Sequence, residues 1–243
     1  MNDWDTYFLP AVRAFLDGRS PYSVEGFFNP PWLVFLLAPL AWVSPGVATL
    51  LPALALLLAA RRRRKPWLIL IVGLSFPFLA VSVYANVDWL PMLGLACGGA
   101  AGPLLVTVKP QAAGLVIVPF FRQLGLRPFV PLIAAAIIGF LLWPGWPMDM
   151  LAGGRLSAEG RNLSLFPYSI PLGALALVLA WRSGSLLWGC VASLSFAPYF
   201  YIHSLLPLLF AMADRKWWLG LLGTLGTWLI VALSLTGVIS LEF

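Results

Sequence analysis

Lys109 stands between Val108 and Pro110 with no other charged residue within twelve positions on either side. An ammonium set in an apolar run is expensive at bilayer depth and therefore informative. Its functional reading is capture of an anionic group, such as a phosphate, at a membrane boundary. Its bland reading is a long side chain snorkelling to the interface. Asp3 and Asp5 flank Trp4 at the amino end, where a carboxylate can serve as a general base that withdraws a proton from an attacking hydroxyl. The alternative for both is negative charge favoured at a helix N-terminus. His203, the sole histidine, follows Pro198-Tyr199-Phe200-Tyr201-Ile202. It suits hydrogen bonding to a polar ligand, or a buried hydrogen-bonded role. Arg155 and Arg161 can clamp a phosphate or stay solvated. Asp3, Asp5 and Asp88 offer hard oxygen donors to a divalent cation, but with no ligand spacing that selects one.

These groups sit in a chain whose composition requires a membrane. Of 243 residues, 61% are hydrophobic and 10% charged, against about 25% charged in soluble domains. Ten of the fifteen basic residues fall in four clusters: Arg61 to Lys65, Arg122 with Arg127, Arg182, and Arg215 with Lys216. Each cluster borders a hydrophobic run, which is the positive-inside pattern and places those loops in the cytoplasm. Of the acidic residues only Asp214 lies in a basic cluster. Basic charge thus pairs with membrane topology rather than with nucleic acid.

The predicted architecture is all-α and polytopic, with about eight short or broken transmembrane helices in the inner (plasma) membrane. Residues 1–29 are expected to form an external amphipathic segment, with a helix from Phe8 to Leu16 ended by Asp17-Gly18. Residues 30–243 form the transmembrane domain, with an external loop over 144–169. Trp32 to Val43 is shorter than the roughly 20 residues a span needs: if it and Gly46–Ala60 both span, the amino end lies on the side of the arginine run, and the preferred alternative is that it is re-entrant. That reading puts the amino end outside and gathers Asp3, Asp5, Asp88, Asp149 and His203 on one face. The small-residue patch Gly98-Gly99-Ala100-Ala101-Gly102 permits a tight turn on the cytoplasmic side or close helix packing.

Other chemistries find no support. Cys97 and Cys190 lie inside apolar segments and read as reduced and inert. One histidine and no His/Cys cluster argue against a transition metal. No phosphate-binding glycine loop, dinucleotide fingerprint or serine-hydrolase elbow is present.

Several motifs in order resemble one family. Asp3-Trp4-Asp5-Thr6-Tyr7, with Ala11, Ala14, Gly18 and Pro21-Tyr22 following, is similar to the first external loop of the bacterial polyprenol-phosphate-mannose-dependent mannosyltransferases. These belong to the C-type glycosyltransferase superfamily. Phe28-Asn29-Pro30-Pro31 with Ala38-Pro39-Leu40, Asn86-Val87-Asp88, Val108-Lys109-Pro110, and Ala197-Pro198 with His203 and Pro207 resemble its later motifs. The resemblance spans residues 3 to 207. On this resemblance the chain is expected to be a shortened relative without the helix that precedes the family's aspartate loop.

The resemblance implies transfer of a sugar, mannose in that family, from a polyprenyl-phosphate carrier to a lipid or glycan acceptor at the non-cytoplasmic face. Asp3 would be the base, with Asp5 as its stand-in. Lys109 would neutralise the carrier phosphate and His203 would line the donor site, with Tyr7, Asn86 and Asp88 as further substrate contacts. The alternatives are a non-catalytic subunit covered by a partner membrane protein, and a transporter or lipid-handling protein. The transporter reading lacks the internal repeat and the polar pathway it requires.

Overall fold

Proline sets the rhythm of this fold. A proline has no N–H to give, so it fits the first turn of a helix and interrupts the interior of one. Pro10, Pro52, Pro77, Pro131, Pro171 and Pro207 all stand in the first two positions of helices. The apolar runs are therefore cut into short pieces.

The computed structural model describes residues 2–156 and 162–237. Among them the chain is helical, with no strand. The amino-terminal segment carries α1 (Leu9–Leu16), entered through one π-type turn, Trp4–Phe8. The expected helix thus begins about one turn earlier than its amphipathic pattern suggests. Next come α2 (Trp32–Leu37), α3 (Leu51–Arg63), α4 (Trp67–Gly73) and α5 (Phe76–Val83). Between α4 and α5, the Ser75 hydroxyl donates to Val72 O at 2.6 Å and its oxygen receives the Phe78 N–H at 3.4 Å, so one residue closes a helix and opens the next. Then follow α6 (Trp89–Cys97), α7 (Ala101–Val106), α8 (Ile117–Leu124) and α9 (Val130–Leu142). The last are α10 (Trp146–Leu156), α11 (Ile170–Ser183), α12 (Leu186–Phe196), α13 (Leu206–Arg215) and α14 (Trp217–Leu235).

α10 places helix in the first part, 146–156, of the segment 144–169 expected as an external loop. Its glycines and proline read as irregular, yet Pro147 sits where a helix accepts proline and Asp149 lies in the favourable first turn. The buried Trp146 ring packs on Trp32 and Phe140, with centroids at 5.6 and 5.4 Å. That packing supplies what local pattern lacks.

Two apolar cores hold the helices together. One gathers Leu68, Val72, Leu95, Phe120 and Phe210. The other gathers Trp4, Phe8, Val12, Leu33, Val34, Val108 and Trp146, so the buried face of α1 is part of the body of the molecule. Trp89, Leu93 and Leu132 pack against both cores and join them.

The outer surface is apolar too. α9 exposes Ile133, Ile137 and Leu141, and α14 exposes Leu221, Leu225 and Leu229, each set spaced by one helical turn. Such stripes mark contact with lipid or a partner. Two helices, Pro45–Arg63 and Trp217–Leu235, are long and apolar enough to cross a membrane. Arg127–Leu142, Ile170–Ser183 and Leu186–Phe196 are apolar but shorter.

The basic clusters have a local task that charge counting does not reveal. A helix leaves its last carbonyls unpaired and carries partial negative charge there. Arg62 donates to Cys97 O at 3.0 and 3.2 Å, and Arg63 reaches Leu95 O, both at the end of α6. Lys65 reaches Asp214 O at the end of α13, and Arg122 reaches Trp181 O at the end of α11. Three helices that end at the basic side are capped by cations from other elements. Gly98, at φ +55°, then turns the chain from α6 towards α7.

Candidate functional site

At the opposite end of α6 the chain forms a loop, 84–88, that aims two polar side chains inward. The Asn86 N–H donates to Val81 O at 3.0 Å and the Ala85 N–H to Ser82 O at 3.3 Å, closing α5 in the pattern of a helix whose next residue is left-handed. Ala85 takes that conformation, φ +49°, without being glycine. The cost of a left-handed alanine is about 1 kcal/mol. The same loop receives the amino end, because Tyr84 O accepts the Asp3 N–H at 2.8 Å.

Lys109 arrives from a different direction. Preceding a proline, it is extended (φ −131°, ψ 83°). Its approach is held by Asn29, whose Nδ2 donates to Val108 O at 3.0 Å. Tyr22 steadies Asn29 in turn, its hydroxyl donating to Asn29 O at 2.8 Å. Burial, and next the charge of Asp149, push the Tyr22 phenol above its ordinary range, so it remains a donor.

The result is one connected polar cluster. Lys109 Nζ donates to Asn86 Oδ1 at 2.8 Å and to Asp88 Oδ2 at 2.6 Å. Asn86 Nδ2 donates to Asp3 Oδ2 at 2.5 Å. His203 Nε2 lies 3.5 Å from Lys109 Nζ and 3.6 Å from Asp88 Oδ2. An ammonium only donates and a carboxylate only accepts. The Asn86 amide therefore has one orientation that serves both neighbours, oxygen to Lys109 and nitrogen to Asp3.

Burial is graded across the cluster. Asp88 is fully buried and Lys109 is 6% exposed, while Asp3 and the His203 side chain are half-buried. Asp88 Oδ1 is buried without a hydrogen-bond partner. Its carboxylate lies at the start of α6, where the helix dipole favours negative charge. Two carboxylates against one ammonium leave one net negative charge when His203 is neutral, and none when it is protonated.

Of the residues expected to act together, Asp3, Asn86, Asp88, Lys109 and His203 converge here. Others do not. Asp5 is exposed; two helical positions rotate a side chain by about 200°, so it faces away and cannot stand in for Asp3. Tyr7 lies over Gly26, with ring atoms 2.3 Å from where a Cβ would stand. Its role is packing the amino-terminal turn. Arg155 falls in the last turn of α10, and Arg161 lies outside the described residues. Lys109 also departs from expectation: its hydrogens face Asn86, Asp88 and His203, which makes it the hub of the cluster rather than an open phosphate contact.

A divalent cation fits poorly at this point. The Lys109 ammonium already occupies the position against Asp88 that a cation would take, and no group of three His, Cys, Asp or Glu among the described residues is arranged to hold a metal.

The loop carrying His203 has its own fastening. Asn162 Nδ2 donates to Pro198 O at 3.2 Å, its Oδ1 accepts the Phe200 N–H at 3.1 Å, and the Ser164 hydroxyl donates to Ala197 O at 2.5 Å. Asn162 and Ser164 thus clamp the 197–200 loop. The Tyr201 ring lies 5.4 Å from that of His203. Burial, and next the neighbouring Tyr201, push the Tyr199 phenol up to about 12. Neither the clamp nor the Tyr22–Asn29 support is visible in the sequence, because each joins segments with no shared pattern.

Comparison of the chain with protein-family models, with curated proteins and with solved structures finds no match.

Proposed function

We propose that this chain is a multi-pass membrane protein of the C-type glycosyltransferase architecture that moves a sugar, mannose on the motif resemblance, from a polyprenyl-phosphate carrier to an acceptor hydroxyl. One observation carries the reading: five polar residues drawn from positions 3 to 203 meet in a single cluster that ends in a half-buried aspartate.

In that reaction the acceptor oxygen attacks the anomeric carbon and the carbon–oxygen bond to phosphate breaks. The phosphate departs with the bonding electrons, and the acceptor proton passes to Asp3. Phosphate is a good leaving group, so the protein chiefly supplies position and a base. Asn86 holds one oxygen of Asp3, which leaves the direction of the carboxylate defined. Lys109 and Asp88 are positioning residues that keep Asn86 in its one useful orientation. The cluster lies at the end of α6 away from the basic clusters, in keeping with an external reaction face.

The second reading is a non-catalytic membrane subunit. It is favoured by the saturation of Lys109, whose charge is already balanced by buried Asp88.

Transfer of radiolabelled mannose from synthetic polyprenyl-phosphate mannose to a membrane-lipid extract separates the two. Activity of the purified chain that disappears in Asp3→Asn supports the enzyme. Absence of transfer with the folded wild-type chain would sink it in favour of the subunit.

A further inference from the structure

The basic side of the molecule holds a cavity of about 490 Å³, within the range of small-molecule sites. It lies at the other end of the helices that carry the polar cluster. α6 runs from Asp88 to Cys97, and α13 from just past His203 to Arg215; Cys97 and Arg215 both line the cavity. Nine residues of helix separate the two regions by about 14 Å. The cavity is therefore a different place from the site described above.

Its lining is divided. Leu95, Phe120 and Phe210 are buried and form an apolar floor. Arg215, Gln123 and Ser183 are exposed and form a polar rim, with Arg63 half-buried beside them. Arg215 makes no ion pair among the described residues. Asp214 is engaged by Lys65 at 2.9 Å and Arg63 at 3.5 Å, so the cations outnumber the one carboxylate. Arg63 is committed within the protein, its Nε beside Asp214 and its Nη2 donating to Leu95 O, which leaves the exposed Arg215 as the open cation of the rim. The eleven-residue α12 begins at the same wall, its N-cap Ser185 making no side-chain cap. A helix start and the Arg215 guanidinium, which makes no ion pair among the described residues, both favour an anion.

We propose that this cavity holds the phosphate of an anionic lipid, with the headgroup at Arg215 and the upper part of the chain against the accessible lining leucines, Leu124 and Leu186. An apolar floor beneath a cationic rim matches an amphiphile better than a free ion. Four basic clusters on this side draw anionic lipid to it. Occupancy would also tie the ends of α6, α12 and α13 together.

The test is titration of the purified full chain, in neutral detergent, with short-chain phosphatidylglycerol. Parallel titrations use short-chain phosphatidylcholine and inorganic phosphate. The expected result is tightest binding of phosphatidylglycerol, weakened about tenfold in Arg215→Gln through loss of a charge-assisted hydrogen bond. Arg127→Gln removes an equal exposed charge away from the cavity and should change binding by less than about twofold. Equal losses in the two variants would mean general surface attraction and overturn the proposal. So would phosphatidylcholine or inorganic phosphate binding as tightly as phosphatidylglycerol.

Discussion

Lys109 and Asn86, 23 positions apart, are joined by a 2.8 Å hydrogen bond that decides which way the Asn86 amide faces. The ammonium claims the amide oxygen, and the nitrogen is left for Asp3 at 2.5 Å. A lysine with no accessible donor thereby governs a carboxylate it does not touch in this chain of contacts.

Asp3→Asn should lower sugar transfer by about 10²–10⁴, the usual contribution of a general base. The substituted amide can still accept from Asn86 through its oxygen, so the unfolding temperature should stay near that of the wild type. Asp5→Asn should leave both quantities unchanged, since exposed substitutions shift stability by about 0.5 kcal/mol or less. Parallel assays of the two variants with melting curves check this. Equal loss in both would remove Asp3 from its assigned role.

Asn86→Asp should be worse than Asn86→Ala for activity. It sets a carboxylate against the Asp3 carboxylate, replacing a donor with a like charge. Asn86→Ala only removes one hydrogen-bond donor from Asp3. If the aspartate variant were the more active, the orientation argued for the amide would be wrong.

Lys109→Met should destabilise the fold by about 3–5 kcal/mol, because Asp88 is left buried and charged without its partner. The double variant Lys109→Met with Asp88→Leu should recover most of that loss. Thermal unfolding in detergent of both single variants and the double gives the coupling. Additive losses would show that the pair is not energetically joined.

The contribution of Tyr22 and Tyr199 to stability should be complete below about pH 10, the ordinary phenol value, and decline above it. Tyr22 and Tyr199 both have raised folded values, that of Tyr199 reaching about 12. A raised value means the folded state keeps a proton the unfolded state loses, so the contribution is complete below the unfolded value and lost as pH rises through the window up to the folded one. Unfolding midpoints of wild type and Tyr199→Phe across this range should show a shallower decline in the variant.

Much of this was legible in the residues. Composition and the flanking basic clusters pointed to a membrane chain, because apolar area and charge placement are properties of the sequence itself. The isolated Lys109, the sole histidine and the amino-terminal aspartates could be picked out because an ionisable group in an apolar chain is conspicuous wherever it folds. Helix starts at prolines are likewise local. α10 escaped that reading, because the burial of Trp146 against Trp32 and Phe140 outweighs a loop-like composition.

The partnerships were decided by tertiary structure alone. Asp3 and Asp5 are alike as residues, and only the helical rotation at the amino end turns one to Asn86 and the other to solvent. Lys109 reads as an open cation until packing delivers Asp88 to within 2.6 Å of it. Local propensity and charge act over a few residues and can be read in order along the chain. Which distant side chains meet depends on how two apolar cores bring α6, α13 and the Asn29-supported segment together, and that is a property of the packed molecule.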